Sequence, residues 1–456
     1  MDYVTDRDNL SEYVKGLTEK YADNKSSNLI ETLILDTARD LKLDIVNVDD
    51  SYYIKKGEKP KALLHLNIDY NKNNLSFSIE DYDKEIIKSE YDINLIISSI
   101  LICYLLDFSH ESFDVLITHN NINMCDMKYS AVANILRTDN VINFNLRQAN
   151  CIADEFSSLK LFLNQVKVER FKPAYEFGSY RISLHDLSGG HAGEESDKVK
   201  LNSIKLLVTI IRKIKSKVDI DIVSLVGGER YEYIPSTSYI DFVVDRQYEA
   251  DLLNIFEIVK NESLEKNLKY EPDMKLSLTK IDTNKKDPIT KESFNYLASF
   301  IELIPMGSFF VNSIDDKTIS SSNLAAARSL KNHVNLIIVL RSLSEESMNS
   351  MIERINVASS ISNSILNEKF HIEKWKNKDT YLTDVFKTAY SEINNDELNV
   401  VKTQYSLDSS IIFNDLNVKI ISIGVKYKKA ENVYYSSIED LFLVVNLLEK
   451  VLNKIY

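Results

Sequence analysis

The sequence predicts an α/β protein interrupted by an inserted α+β domain. Two observations support this. Short apolar segments such as KALLHLNID (61–69) and FDVLITH (113–119) alternate with helical patterns in the first third and again in the tail. Between them lies a separate run of strand and helix patterns. We therefore assign residues 1–178 and 378–456 to one α/β domain, and residues 179–377 to the insertion.

The elements follow from periodicity, taken in chain order. NLSEYVKGLTEKYA and SSNLIETLILDTARDLKLDI have apolar residues three and four apart, which predicts two amphipathic helices. Strands are predicted at 61–69, 74–79, 113–119 and 140–146, with a helix at 93–107. In the insertion, the predicted strands are YRISLHDLSG, DIDIVSLVGG, SYIDFVVD, GSFFVNSI and VNLIIVLRSL. The predicted helices there are KVKLNSIKLLVTIIRKIKS and SEESMNSMIERINVASSISNSIL. The tail predicts the helix TYLTDVFKTAYSEI, the strand NVKIISIGV and the helix SSIEDLFLVVNLLEKVLNKI.

Composition excludes several classes of function. A net charge of -13 over 456 residues gives no electrostatic reason to expect a nucleic-acid or anionic-membrane partner. The start lacks a signal pattern, and the longest apolar run, at 93–106, is shorter than a bilayer span, so we expect a cytoplasmic protein. The three cysteines form no C-x-x-C, and neither a G-x-S-x-G nor a phosphate-loop motif is present.

Several segments carry a family resemblance. ISLHDLSGGHAGEESDKVKLNSIKLL, LVGGERYEYIPSTSYIDFVV and DDKTISSSNLAAARSLKNHVNLIIVLRSLSEES follow in the order and spacing of the lid domain of the zinc aminoacyl-histidine dipeptidases. The chain resembles that family over nearly its whole length. The resemblance implies a zinc-exopeptidase-like α/β domain interrupted by a lid that dimerises.

The family's first metal ligands have no counterpart here. The resemblance implies a His-x-Asp at a strand end, and LNIDY places Asn67 at the histidine position while keeping Asp69 as the orienting carboxylate. The aspartate that bridges the two metals would lie in DINLIISSIL, where no acidic residue stands between Asp92 and Asp107. Two zinc ions need histidines and carboxylates that offset their charge.

Asparagine also occupies the remaining positions. The family's Glu-Glu pair, with its general base, corresponds to Asn120 and Asn121, its aspartate ligand to Asn145 and its last histidine to Asn432. An amide does not titrate in water, so Asn120 cannot act as a general base. The family's His-Ala-Gly-Leu-Glu segment corresponds to SLDSS at 406–410, which we interpret as the loss of a polar pair.

Four lid residues match the family's substrate-side positions. His191 corresponds to a histidine that reaches into the partner's active site, and Arg341 to an arginine that pairs with a substrate carboxylate. Asn202 and Gly307 complete the set. The ordinary alternatives are a turn histidine held between glycines and a strand-end arginine in a surface ion pair.

The sequence therefore predicts a non-catalytic homologue with no cofactor. It would bind a dipeptide or amino acid, or act as a partner subunit, either in a homodimer through the lid or beside an active paralogue. The alternative is an active dipeptidase-type metallohydrolase with a rearranged zinc site drawn from His65, Asp69 and His119. His65 and Asn67 alternate onto one strand face with Asp69. His119 is predicted to be an exposed strand-end residue rather than a ligand.

Overall fold

The structure is a computed structural model with two compact units. Unit 1 comprises Met1–Phe156, Trp375–Lys402 and Ser406–Tyr456, and unit 2 comprises Ser157–Lys374 and Thr403–Tyr405. The residues that the structure describes are 7–21, 28–69, 78–80, 85–89, 93–120, 129–146, 151–282, 287–314, 316–377, 379–394, 396–404, 408–430 and 433–456.

The secondary structure is mixed throughout the chain. The α-helices are α1 (Arg7–Tyr21), α2 (Leu29–Asp40), α3 (Ile93–Phe108), α4 (Ser203–Lys215), α5 (Glu249–Asn267), α6 (Lys291–Leu303), α7 (Glu345–Ile361), α8 (Tyr381–Ser391), α9 (Asp408–Leu416) and α10 (Ile438–Lys454). The strands are β1 (Asp44–Val48), β2 (Ser51–Lys56), β3 (Leu63–Asp69), β4 (Ser78–Glu80), β5 (Ile86–Ser89), β6 (Phe113–Asn120), β7 (Asn140–Asn143), β8 (Cys151–Phe156), β9 (Ser158–Lys167), β10 (Phe177–His185), β11 (Gly190–His191), β12 (Ile220–Gly227), β13 (Tyr233–Ile234), β14 (Ser238–Asp245), β15 (Lys275–Lys280), β16 (Gly307–Val311), β17 (Thr318–Ser329), β18 (His333–Ser342), β19 (Ser364–Ile372), β20 (Trp375–Lys376), β21 (Asn399–Thr403), β22 (Lys419–Ile423), β23 (Lys428–Ala430) and β24 (Val433–Ser437).

Unit 1 is built on a mixed sheet with a parallel centre. Its strand order is β1-β2-β6-β3-β7-β22-β8-β20, with β21 also beside β8. The neighbours β6, β3, β7 and β22 run parallel, so their carboxyl ends meet at one edge. The predicted helix at 93–107 is confirmed as α3, which is apolar all round and buried along nearly its whole length. Most of the predicted strand at 74–79 lies outside the described residues.

Unit 2 is an antiparallel sheet with helices packed against it. The order is β15-β10-β14-β12-β17-β18-β9-β19, and β16 pairs with β17. In β18, Leu336, Ile338 and Leu340 belong to the core shared with the helices. Because side chains alternate along a strand, Arg341 points to the opposite face of the sheet.

The domain boundary lies earlier than the sequence analysis placed it. Unit 2 begins at Ser157 rather than at residue 179, because β9 pairs along its full length with β18 and so belongs to the second sheet. This strand is not among those predicted from the sequence. The chain returns to unit 1 at Trp375 rather than at residue 378, where β20 pairs with β8.

The described helices contain no membrane-spanning candidate: none is both long and apolar enough to cross a bilayer.

Candidate functional site

The first candidate site lies at the carboxyl edge of the parallel strands in unit 1. His65 of β3 is fully buried, and its Nδ1 lies 3.0 Å from Oδ1 of Asn143 in β7. The hydroxyl of Thr118 in β6 lies 2.9 Å from Nε2 of His65 and 3.2 Å from Oδ1 of Asn67. The structure therefore places His65 and Asn67 on one face, as alternation along β3 predicts.

Asp408 anchors this polar cluster from the start of α9. Nδ2 of Asn143 donates to Asp408 at 3.3 Å and to Ser409 Oγ at 2.8 Å. Nδ2 of Asn145 donates to the same carboxylate and, at 3.1 Å, to the same hydroxyl. Ser409 Oγ is also 2.9 Å from the hydroxyl of Ser422 in β22. The strand-end amides thus present hydrogen-bond donors to a buried carboxylate.

The cluster holds its histidine in the neutral form. Because Nδ2 of Asn143 is directed at Asp408, its Oδ1 accepts, and Nδ1 of His65 carries the proton. Burial lowers the pKa of His65, and the nearby Asp408 carboxylate and the hydrogen bond to Asn143 only partly oppose this effect.

His119 does not join this cluster, and the prediction that it is exposed is wrong. It is buried on the other face of β6 from Thr118, with Nε2 3.2 Å from a carboxylate oxygen of Glu31 in α2. Its ring packs edge-on against Tyr52 at 6.3 Å. Burial lowers its pKa to about 4. The alternative zinc set fails in this respect, because β6 turns His119 away from His65.

The described part of the cluster does not fit two zinc ions. Asn67 and Asn145 lie at the strand ends as predicted, whereas the side chains of Asp69 and Asn120 and all of Asn121 and Asn432 lie outside the described residues. Among described residues, no group of three or more His, Cys, Asp or Glu side chains is arranged to hold a metal. The amide N–H groups that point at Asp408 also carry partial positive charge, which repels a cation rather than binding it.

The second candidate site, in unit 2, contains the lid residues. His191 lies in β11, which pairs with β13. Its Nδ1 accepts from the backbone N–H groups of Gly193 and Glu194, both at 3.3 Å, and its ring packs edge-on against Tyr233 at 5.8 Å. These contacts support the alternative in which His191 is a turn histidine held between glycines. The predicted role in a partner's site stays a prediction.

Asn202 caps helix α4. Its Oδ1 accepts from the backbone of Ile204 and Lys205 at 3.1 and 3.3 Å. Its Nδ2 donates to Oδ1 of Asn323 at 3.1 Å and to the carbonyl of Leu324 at 2.8 Å. The cap explains why α4 begins later than the predicted helical segment, and these four bonds occupy the amide. A ligand contact at Asn202 stays a prediction.

Gly307 begins β16 with a positive φ of 72°. It lines a cavity of about 410 Å³ together with Asn202 and Asn323. A Cβ atom at Gly307 would meet no heavy atom within 4 Å, so the backbone here faces open space. The structure therefore brings two of the four predicted lid residues to one cavity.

Arg341 is a buried charge on the face of β18 opposite Leu340. It is 1% exposed, and neither Nε nor Nη2 has a hydrogen-bond partner among the described residues. Burial lowers its pKa to about 10, and Tyr231, Glu232 and Glu194 partly oppose this effect. The guanidinium is therefore charged at neutral pH. The alternative of a surface ion pair is wrong, because the residue is buried.

Comparisons with known proteins agree with this architecture of an α/β domain and an inserted lid. The resemblance to the aminoacyl-histidine dipeptidases is confirmed as homology and as fold. The chain is 23% identical over 239 residues to the cytosol non-specific dipeptidase of Escherichia coli. That alignment covers 51% of this chain and 48% of the relative, about half its length. No family model matches the chain.

Solved structures agree over nearly the whole chain. Aminoacylhistidine dipeptidase from Vibrio alginolyticus superposes with a TM-score of 0.63 at 15% identity, covering 94% of this chain and 92% of that one. A tripeptidase from Staphylococcus aureus gives a TM-score of 0.53 at 11% identity, covering 99% of each chain. At these identities the likeness establishes the fold: an α/β zinc-exopeptidase-like domain with an inserted α+β lid.

Three residues of the cluster, Asp408, Asn143 and Thr118, are not predicted from the sequence. SLDSS was interpreted as the loss of a polar pair, yet Asp408 in that segment supplies the carboxylate of the cluster. The available signal for Asp408 was that it is an acidic residue among small polar residues at the start of a helix. Asn143 carried a signal as well, since it alternates with Asn145 onto one side of the chain at the end of β7.

Proposed function

We propose that the protein is a non-catalytic homologue of the zinc dipeptidases that binds a small carboxylate, such as a dipeptide or an amino acid, through Arg341. One observation carries the proposal: a fully buried guanidinium with unpaired Nε and Nη2 atoms in the described structure. A buried charge without a partner is costly, so its retention favours a ligand that supplies the missing anion. A carboxylate matches the planar fork of arginine with two parallel hydrogen bonds.

The absence of hydrolysis belongs to the same proposal. By the resemblance, the general base and the metal ligands correspond to asparagines, and one of these, Asn145, donates to Asp408 in the described cluster. Such a cluster offers neither a titrating base near neutral pH nor enough negative charge for two dications. We infer that the protein acts as a sensor or carrier of its ligand, and we place it in the cytoplasm, where the named Escherichia coli relative works.

Calorimetry and ligand-observed NMR with a panel of dipeptides and amino acids at millimolar concentration test this proposal. We expect saturable binding that requires a free carboxylate, so that the matching peptide amides do not bind. Arg341→Gln should weaken binding by about tenfold or more, because a charge-assisted pair contributes about 1.5–3 kcal/mol. Binding that depends on neither the ligand carboxylate nor Arg341, or no binding at all, would contradict the proposal.

A second candidate function is that of a partner subunit, in a homodimer through unit 2 or beside an active paralogue. It is supported by apolar side chains that are more than half exposed near α7 and β16, namely Leu303, Phe310, Val357, Ile361 and Ile365. Four of them, Leu303, Phe310, Val357 and Ile361, line one surface cavity. Contiguous exposed apolar surface is typical of interaction sites. Light scattering after gel filtration of the wild type and of Phe310→Asp tests self-association, with the remote exposed Leu253→Asp as control. Copurification with a paralogue tests the mixed assembly.

A further inference from the structure

We infer that the cavity between α4, the end of α5 and β17 in unit 2 is a binding site for a phosphate-bearing small molecule. Its lining contains four lysines, Lys198, Lys200, Lys205 and Lys266, and one acidic residue, Glu195. Those side chains sum to a formal charge of +3, in a chain whose net charge is -13. Its volume of about 410 Å³ lies within the range of small-molecule sites.

Glu195 offsets part of this positive charge. Glu195 lies 2.9 Å from Nζ of Lys198 and 3.9 Å from Nζ of Lys200. Nζ of Lys205, by contrast, lies 3.5 Å from a backbone carbonyl, that of Glu302. Burial lowers the pKa of Lys205, and the nearby Glu302 only partly opposes this effect. A half-buried ammonium group whose contact is a neutral carbonyl attracts an anion.

A buried hydroxyl in the same cavity provides an independent indication. Ser322 is 4% exposed and lines the cavity, yet its Oγ has no hydrogen-bond partner among the described residues. A buried polar atom without a partner is costly. A phosphate oxygen bound near Ser322 would accept a hydrogen bond from that hydroxyl.

The shape and chemistry of the lining favour phosphate over carboxylate. Lysine presents a compact point charge that suits phosphate, whereas a planar carboxylate is better matched by arginine. Leu201, Leu206 and Met306 provide apolar wall for the organic part of such a molecule. Arg341 is not among the residues that line this cavity, although its partner across the strands, Ser321, is.

Titration calorimetry with pyrophosphate and with inorganic phosphate on the full chain tests the inference. We expect pyrophosphate to bind with a dissociation constant below about 1 mM, and more tightly than phosphate because of its greater charge. Lys205→Met should weaken binding by about tenfold or more. Lys213→Met is the matched control, because Lys213 lies on the same helix but pairs with Glu262 outside the cavity.

Two further variants separate the outcomes. Ser322→Ala should weaken pyrophosphate binding severalfold without lowering the unfolding temperature, because its hydroxyl has no partner among the described residues. Arg341→Gln should leave pyrophosphate binding unchanged, so that failure of the carboxylate site and failure of this site are distinguishable. Undetectable pyrophosphate binding, or equal loss in Lys205→Met and Lys213→Met, would overturn the inference.

Discussion

Asn143, at the carboxyl end of β7, donates its side-chain amide to the carboxylate of Asp408 at 3.3 Å. In a zinc dipeptidase this edge of the sheet presents negative or imidazole ligands to two cations. Here the polarity is reversed, because amide donors on β7 hold an anion supplied by α9. Among the described residues, this carboxylate accepts from Asn143, Asn145 and the backbone of Ser409.

The first prediction concerns Asp408. Asp408→Ala should reduce the free energy of unfolding by about 1–3 kcal/mol, because the buried amides of Asn143 and Asn145 lose their charged acceptor. Urea denaturation followed by circular dichroism measures the change. Asp139→Ala is the control: its carboxylate is exposed and 3.7 Å from Lys419, so its removal should cost less than about 0.5 kcal/mol. Equal effects of the two variants would contradict the role of Asp408.

The second prediction tests the polarity of the cluster. Asn145→Asp restores a carboxylate at a family metal position but sets it against Asp408. We expect a loss of about 2 kcal/mol or more at pH 7, from charge repulsion in a buried site. Lowering the pH to about 5 should recover part of the lost stability, because one of the two carboxyl groups becomes protonated. Asn145→Ala, which adds no carboxylate, should show no such recovery. Stabilisation of Asn145→Asp by added zinc would show a functional metal site instead.

The third prediction concerns pH. Burial lowers the pKa of His119 to about 4, whereas an unfolded histidine titrates near 6.5. The stabilisation that comes from burying neutral His119 is therefore fully present above about pH 6.5. It is lost as the pH falls towards 4, because in that range only the unfolded state binds the proton. The lowered pKa of His65 acts in the same direction. Free energies of unfolding at pH 7 and pH 5.5 should differ less in His119→Gln than in the wild type, and an unchanged difference would count against this account.

The fourth prediction separates two arginines of the same sheet. Arg341→Met should stabilise the ligand-free protein by about 1–3 kcal/mol and should abolish carboxylate binding, because it removes a buried charge whose Nε and Nη2 have no hydrogen-bond partner among the described residues. Arg328→Met should destabilise it instead, because Arg328 donates to the carbonyls of Gly227, Ala327 and Gly228. Thermal unfolding of the two variants measures the difference. Destabilisation by Arg341→Met would mean that its guanidinium is paired in the native protein.

Much of the fold could be predicted because periodicity survives in the sequence. The alternation of His65 and Asn67 in β3 and the apolar run of α3 follow directly from local patterns. β9 was missed because it pairs with β18, more than 150 residues later in the chain, and no local pattern reports such a partner. That pairing moved the domain boundary from residue 178 to Phe156.

The site was harder to predict, because it depends on side-chain direction. The sequence could show that amides stand at Asn67 and Asn145, but not that an acidic residue in 406–410 turns towards them. The burial of His119 depends on the helix that covers it. Arg341 was identified from its resemblance to the family arginine, while its isolation within the described structure depends on three-dimensional packing.

The most direct test of the central claim is elemental analysis of the wild-type protein after incubation with zinc and gel filtration, with dipeptide hydrolysis assayed on the same sample. The reversed polarity around Asp408 predicts no stoichiometric zinc and no turnover. About two zinc ions per chain together with turnover of a dipeptide would contradict the account, and would show that this chain is a dipeptidase with a rearranged metal site.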